Sequence, residues 1–493
     1  MMDNLNWVVL YPEIILLTMT CVIALFDLGV NSPRRTATYV LSLITLAGVA
    51  LIEALYAGAG GTVYAFDNMV VSDAMGNWLK CFSTLSVFVT MVYGRPYAAD
   101  RDMLKYGGEF FTLGLFALLG MYVMISCNNF LVLYLGVELL ALSSYALVAL
   151  HRDDEKASEA AMKYFVLGAL GSGFLLYGMS LMYGATGSLD ISPIFQSVSS
   201  GHINHQVLVL GLVFVVCGLG FKFGVVPFHM WVPDVYQGAP TVVTLLIGGA
   251  HKLAAFAMTM RLLVEGWLPL AIDWQQMLMV LSVASLLIGN LAGIAQTNIK
   301  RMIAFSTISQ MGFVLIGLYS GVVNGNTAAA ANAYSSAMFY VVTYVLTTLA
   351  VFGIIMLLAR EGFESEEITD FAGLNQRSPL YAGVMALCMF SLAGIPPMVG
   401  FAGKLSVLQA LIASGQTGAV ALAIYAVMMS LLAAFYYLRV VKVMYFDEPK
   451  EAFSSASLPV RLIASLSALL VLAFALAPAP LVNAASAAAH TFF

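Results

Sequence analysis

Runs of about twenty mainly apolar residues recur along the whole chain, and this recurrence limits the fold more than any other feature. A helix needs about that length to cross the hydrocarbon core, and only helices or closed barrels satisfy their backbone there. Such runs lie near 7–26, 37–57, 74–93, 110–126, 128–150, 161–185 and 206–230, then near 238–262, 275–296, 301–320, 333–358, 380–412, 419–444 and 458–480. They predict an all-α polytopic membrane protein of about fourteen spans. Composition agrees, since 61% of the 493 residues are hydrophobic and 10% charged, against roughly 45–50% and about 25% in soluble chains. A water-soluble globular fold is excluded. The first run is too long, and too polar around Tyr11-Pro12-Glu13, for a cleaved signal peptide, so it is expected to remain as a span.

The charges between runs set an orientation. One set of alternate connections holds Arg34, Arg35, Arg95, Arg101, Lys105, Arg152, Lys156, Lys163, Lys300, Arg301, Arg360, Arg377, Arg439, Lys442, Lys450 and Arg461, while the other holds only Arg261. By the positive-inside rule the crowded side is cytoplasmic, and both termini are expected on the periplasmic side. With a net charge of −5 and no basic tract, the chain gives nucleic acid no footprint. Its five cysteines stand singly, without a C-x-x-C pair, so no metal, iron–sulfur or disulfide framework is expected. His202 and His205 are too sparse for a metal site. The glycines near 168–173 and the Gly403-Lys404 pair complete no phosphate-binding loop.

The chain also repeats itself. Ala161-Met162-Lys163-Tyr164-Phe165-Val166 reads like Ala337-Met338-Phe339-Tyr340-Val341-Val342, and Gly224-Val225-Val226-Pro227 like Gly394-Ile395-Pro396-Pro397, in the same order. Two such matches point to a duplicated five-span unit, entered from opposite sides because five is odd, each unit with one Gly/Pro-broken helix. The division this predicts is an N-terminal three-helix segment (1–109), a first repeat (110–265), an inverted second repeat (266–446) and a C-terminal span with its tail (447–493). The proline spans fit, because Pro227 and Pro233 cannot donate to the preceding turn and force a break.

Ionisable residues in mid-span are costly and mark candidate functional sites. Glu138 and Lys222 are placed in this way. His229 follows Lys222 by seven residues, which predicts a place two turns down the same helical face. His251 and Lys252 stand together in the next span, and Lys404 lies just past the second break. A lysine beside an ionised glutamate holds its proton and releases it when the glutamate moves or is neutralised, which makes such a pair a proton-handling switch. Static ion pairs fixing helix register are the alternative. Lys80 is expected to snorkel or to pair with Asp73. Glu13 and Glu53 lie near outer ends, and Asp153-Asp154-Glu155 and Glu364, Glu366 and Glu367 read as solvated loops.

The stretches YLGVELLALSSYALVAL (134–150), GFKFGVVPFHMWVPDVYQGAPT (220–241), HK (251–252) and GIPPMVGFAGK (394–404) resemble the antiporter-like membrane subunits of bacterial respiratory complex I. Within that family the chain is most similar to the N-type branch: it has Lys at 404 where the M-type has Glu, and no long lateral helix after its last span. The resemblance implies a proton-translocating, non-redox subunit of NADH:quinone oxidoreductase, a translocase of the inner membrane. Glu138, Lys222, Lys252 and Lys404 would form its hydrated polar axis, with His229 and His251 as possible relays. It further implies no cofactor in this chain; NADH, FMN, iron–sulfur clusters and quinone would be handled by partner subunits. The expected neighbours are K-type and M-type membrane subunits and lipid. Free-standing multisubunit cation/proton antiporters share the motifs around Glu138 and Lys222 and are the alternative.

Overall fold

The computed structural model describes residues 6–323, 325–359, 363–449 and 458–491. Helices α1 (Tyr11–Asp27), α2 (Thr36–Ala59) and α3 (Ala74–Ala99) come first. Between α2 and α3, strands β1 (Val63–Ala65) and β2 (Val70–Ser72) pair antiparallel, with Val63 opposite Ser72. Next are α4 (Glu109–Ser126), α5 (Phe130–Val148), α6 (Glu155–Thr186) and the short α7 (Ile191–Ser199). The first broken region follows as α8 (His205–Phe223) and α9 (Trp231–Gly238), then α10 (Thr241–Gly248) and α11 (Ala250–Thr259), which continues into a π-helical stretch at Met260–Gly266. The remainder is α12 (Ala271–Ile294), α13 (Ile299–Tyr319), α14 (Ala330–Leu358), the single turn α15 (Leu374–Arg377), α16 (Pro379–Ala393), α17 (Val399–Ser414), α18 (Ala419–Phe446), α19 (Leu458–Leu476) and α20 (Ala479–Ala489).

Among the described residues, eleven helices are long and apolar enough to cross a membrane, or twelve if the bent pair Leu462–Phe474 and Ala479–Ala489 is one span. Fourteen expected spans are therefore not all matched by that measure. α3 is long but carries Asn77, Lys80 and Arg95 among its apolar residues. The span expected at 380–412 is split at Gly394–Pro397 into helices of 15 and 16 residues. The last span bends by 75° where Pro478 and Pro480 interrupt it.

Burial sorts the helices. The Thr241–Gly266 span is wholly buried and α13 and α14 are 94% buried, while α1 and α18 are 33% buried and turn leucines and valines outward. The span carrying His251 and Lys252 is thus the innermost element. Helices α4 and α5 cross at backbone contact, since a Cβ on Gly120 would lie 2.5 Å from the Leu140 nitrogen. That close approach holds the Glu138 helix rigidly against its neighbour.

Several expectations are corrected here. Arg261 is in no loop: it is fully buried in the π stretch, bonded to Asp73 at 2.6 and 2.9 Å and to Glu265 at 2.7 Å. Lys80 does not pair with Asp73 and does not snorkel. It is buried against Glu13 at 2.5 Å and Glu53 at 3.5 Å. The span expected near 238–262 is present as Thr241–Gly266, with a local break at Gly249 between α10 and α11. The acidic loops are partly engaged: Glu364 binds Arg101 at 2.5 Å and Glu366 binds Lys300 at 3.0 Å, while Asp154 caps α6. Arg360, Lys450 and both extreme termini lie outside the described residues, as does the side chain of Arg461.

Candidate proton-handling site

α8 ends because Gly224 takes a left-handed conformation, φ +73°, that other residues adopt only at a cost. Its last turn is closed by Gly224 N–H donating to the carbonyls of Gly220 and Phe221, and by Val225 N–H donating to Gly220. The following carbonyls, orphaned in any helix end, need donors from elsewhere. Trp231 Nε1 donates to the Phe221 carbonyl at 3.1 Å, and Lys252 Nζ donates to the carbonyls of Lys222 at 3.3 Å and Phe223 at 2.9 Å. The Lys252 ammonium also stands 5.5 Å from the Trp231 ring. A helix carboxyl end carries roughly half a negative charge, so a lysine here is held by the backbone itself.

The second break repeats this arrangement. Gly394, φ +83°, donates to Phe390 and Ser391, and Ile395 donates to Phe390. Lys404 Nζ donates to the carbonyls of Leu392 at 2.9 Å and Ala393 at 3.3 Å, and to Ser430 Oγ at 2.8 Å. It lies 5.0 Å from the Phe313 ring. Each half-helix end is thus closed by a glycine, capped by a lysine and flanked by an aromatic ring.

Around Lys252 a cavity of about 20 Å³ is lined by Lys222, His251, Tyr164, Trp231, Leu140 and Ala141, among others. That is room for about one water molecule among several polar groups. Glu138, on α5 beside this lining, is the carboxylate within electrostatic reach of Lys222, and its Oε1 is buried without a hydrogen-bond partner. His251 Nε2 is 3.4 Å from Ser144 Oγ. The structure therefore gathers Glu138, Lys222, His251 and Lys252 at the first break and sets Lys404 at the second. His229 is not brought to the cavity lining. The helix stops at Phe223, so its seven-residue spacing from Lys222 is not a shared helical face, and its ring is half-buried in the break with Nδ1 unpaired.

Sequence reasoning missed the polar groups between the two lysines. Gln310 Nε2 donates to the Leu392 carbonyl and to Tyr437 Oη, both at 3.0 Å, and accepts from Tyr340 Oη. Tyr437 meets Ser306 at 2.5 Å, and Thr307 meets Tyr344 at 2.7 Å. The signal was the polar run Ser306-Thr307-Ile308-Ser309-Gln310 within an otherwise apolar span. At one end of the bundle Asp234 joins Lys163 at 2.9 Å and Arg301 at 2.7 Å beside a groove of about 210 Å³. Among the described residues no group of three His, Cys, Asp or Glu side chains could hold a metal ion.

The chain is similar to known proteins over nearly its full length. Residues 127–433 match the family described as NADH:quinone oxidoreductase/Mrp antiporter, TM. The NADH-quinone oxidoreductase subunit N of Polaromonas naphthalenivorans is 67% identical over 98% of this chain and 97% of its own. Of solved structures, a chain of respiratory complex I from Thermus thermophilus with bound aureothin superposes with a TM-score of 0.80 at 30% identity, covering 97% of this chain and 99% of that one. A chain of the Mrp complex from Dietzia sp. gives 0.84 at 20% identity over 99% and 97%, a likeness of fold. The chain belongs to the NADH:quinone oxidoreductase/Mrp antiporter family of membrane subunits, within its group of NADH-quinone oxidoreductase N subunits.

Proposed function

We propose that this chain is a proton-translocating module of an NADH:quinone oxidoreductase. Protons would move along Glu138, Lys222, Lys252 and Lys404, with His251 and His229 as relays. Electron transfer from NADH through flavin and iron–sulfur clusters to quinone belongs in this reading to partner subunits, so the chain is a non-redox part of a translocase. The proposed setting is the bacterial inner membrane, termini on the periplasmic side, between K-type and M-type neighbours. The working units are the two repeats, 110–265 and 266–446.

The observation that carries the reading is the pair of lysine-capped half-helices. A lysine amine keeps two N–H donors after losing its proton, and Lys252 serves two carbonyls. Its hydrogen bonds therefore survive either charge state, and only the attraction between the ammonium and the helix end changes. At Lys404 the hydroxyl of Ser430 accepts from the ammonium and donates to the Ala393 carbonyl. When the lysine is neutral, that hydroxyl can turn its hydrogen toward the amine. Both lysines can thus load and unload a proton without rebuilding the break. Glu138, through its charge on Lys222, is the lever by which a neighbouring subunit biases the first site. The groove at Asp234, Lys163 and Arg301 supplies intake from the cytoplasmic side.

The test is NADH:quinone activity and proton uptake, measured together in membranes carrying Lys222→Ala or Glu138→Gln, with assembly followed on native gels. Normal assembly with lost or uncoupled turnover is expected. Intact pumping and activity in both variants would refute the mechanism. Cation-dependent pH changes in vesicles without NADH would move the chain to the antiporter reading.

A further inference from the structure

A second buried charged cluster lies outside the two lysine caps, in the N-terminal helices. Lys80 of α3 is 2% exposed, Glu53 of α2 is 0% exposed and Glu13 of α1 is 7% exposed. Lys80 Nζ donates to Glu13 Oε1 at 2.5 Å, and that same oxygen accepts from Ser126 Oγ at 2.9 Å. Glu53 is treated differently. Its Oε1 lies 3.5 Å from Lys80, beyond a charge-assisted hydrogen bond, and neither of its oxygens has a hydrogen-bond partner.

Counting charge makes the asymmetry informative. The groups facing the cluster are Tyr11 from α1, Tyr56 from α2, Cys81 from α3 and Tyr122 and Ser126 from α4, all neutral at ordinary pH. Asp73, two turns before Lys80, is bonded through both oxygens to Arg261, which also binds Glu265. One ammonium therefore faces two carboxyls in a buried site. Two ionised carboxylates sharing one counter-ion there would leave an uncompensated buried charge, a state that proteins avoid by taking up a proton. Glu13 receives an ammonium and a hydroxyl on its Oε1, with its Oε2 unpartnered, whereas Glu53 receives no hydrogen bond on either oxygen.

We propose that Glu13, Lys80 and Glu53 form a proton-binding site in the N-terminal three-helix segment, with Glu13 ionised against Lys80 and the bound proton on Glu53. The site lies at the end of the bundle covered by the β1–β2 hairpin. Glu13 is the third residue of α1 and Ser126 the last of α4. Val9, Ala65 and Val70, with Leu10 and Phe66 against them, form a small apolar plug at that end.

Infrared spectra of the purified complex in the protonated-carboxyl region, wild type against variant, test this. Glu53→Gln removes one carboxyl band. Glu13→Gln also removes one, because Glu53 then ionises as the sole partner of Lys80. Lys80→Met adds one, taking the site from one protonated carboxyl to two. Glu53→Gln mimics the protonated acid and assembles as the wild type does. A carboxyl region unchanged in Glu53→Gln, or no gain in Lys80→Met, would overturn the proposal. Failure of Glu53→Gln to assemble while Glu13→Gln assembles would place the proton on Glu13 instead. A wild-type band abolished by added Na⁺ would make the ligand a sodium ion, which also overturns it.

Discussion

Replacing Arg261 by Met should be the most damaging single change at the hairpin end, and the structure gives its size. The guanidinium donates to Ile125 O at 3.1 Å, to both oxygens of Asp73 at 2.6 and 2.9 Å, and to Glu265 at 2.7 Å. Arg261 ends the span that carries Lys252, and Asp73 caps α3 through Gly76 N–H at 2.7 Å, so the pair ties the innermost span to the N-terminal helices. Removing one partner of a buried ion pair costs about 3–5 kcal/mol, because the other charge stays buried and unpaired. At about 1.4 kcal/mol per tenfold, the half-life of the assembled complex at raised temperature should fall roughly 10²- to 4 × 10³-fold if the loss falls on unfolding. Asp73→Asn in the same chain keeps a good cap and removes the deeper of the two stranded charges, Glu265 being the more exposed. The double variant should therefore recover to within about tenfold of wild type.

The pH dependence fixes the cause. In the wild type, burial pushes the Asp73 carboxyl up, but the charge and hydrogen bonds of Arg261 and the Gly76 N–H outweigh it and hold it below the usual carboxylate range. A depressed carboxylate contributes stability that is present at neutral pH and lost only as pH falls below about 4. In Arg261→Met burial is opposed only by the cap and by the charge of Lys80, itself paired with Glu13, so the folded state should bind a proton more readily than the unfolded one. Stability should then rise as pH falls from 8 toward 5.5, the opposite slope. Half-lives of NADH:quinone activity at a fixed raised temperature, read across that range, check both size and sign. A single variant within threefold of wild type, a flat pH profile, or a double variant as poor as the single would refute the reasoning.

Trp231→Phe loses the bond to the Phe221 carbonyl while keeping a ring beside Lys252. One such bond is worth about 1 kcal/mol, so turnover should fall about fivefold, and Trp231→Leu should fall further; steady-state NADH:quinone rates on assembled complex decide. Gly394→Ala forces a Cβ into φ +83° and to 3.0 Å from Lys404 Cδ. It should cost about 1–2 kcal/mol and lower proton uptake with assembly kept on a native gel. Gln310→Leu strands Tyr340 Oη while Lys404 still caps Leu392. It should uncouple proton uptake from quinone reduction more than it slows reduction, read as protons taken up per NADH oxidised.

How much of this was legible in the sequence follows from what hydropathy can see. Charges inside long apolar runs stand out, so Glu138, Lys222, Lys252 and Lys404 were visible, and glycine beside proline marked both breaks. Partners were not visible. Lys80 was expected beside Asp73, seven residues away, but its carboxylates come from helices 67 and 27 residues distant in sequence. Arg261 sits at the end of an apolar run, where hydropathy reads a loop; a π stretch carries the span on and buries it. The seven-residue spacing of Lys222 and His229 suggests one helical face, but Gly224 and Pro227 between them mark the break that separates the two.

The deeper reason is that the acceptors at both breaks are backbone carbonyls, which every residue has. In the register that aligns Gly224 with Gly394, an offset of 170, Lys222 falls on Leu392 and Lys404 falls on Asp234. No lysine matches a lysine. Yet the carbonyls of 222 and 223 and those of 392 and 393 are both held by an ammonium. In the first unit it comes from the following span, and in the second from the far half of the same broken helix. The two units therefore share an open helix end with its partial negative charge, and each meets that demand with a lysine from a different place. A site defined by an unsatisfied helix end constrains where the cation must stand and leaves free which residue delivers it. That is why the lysines could be found one by one in the sequence, while their equivalence needed the fold.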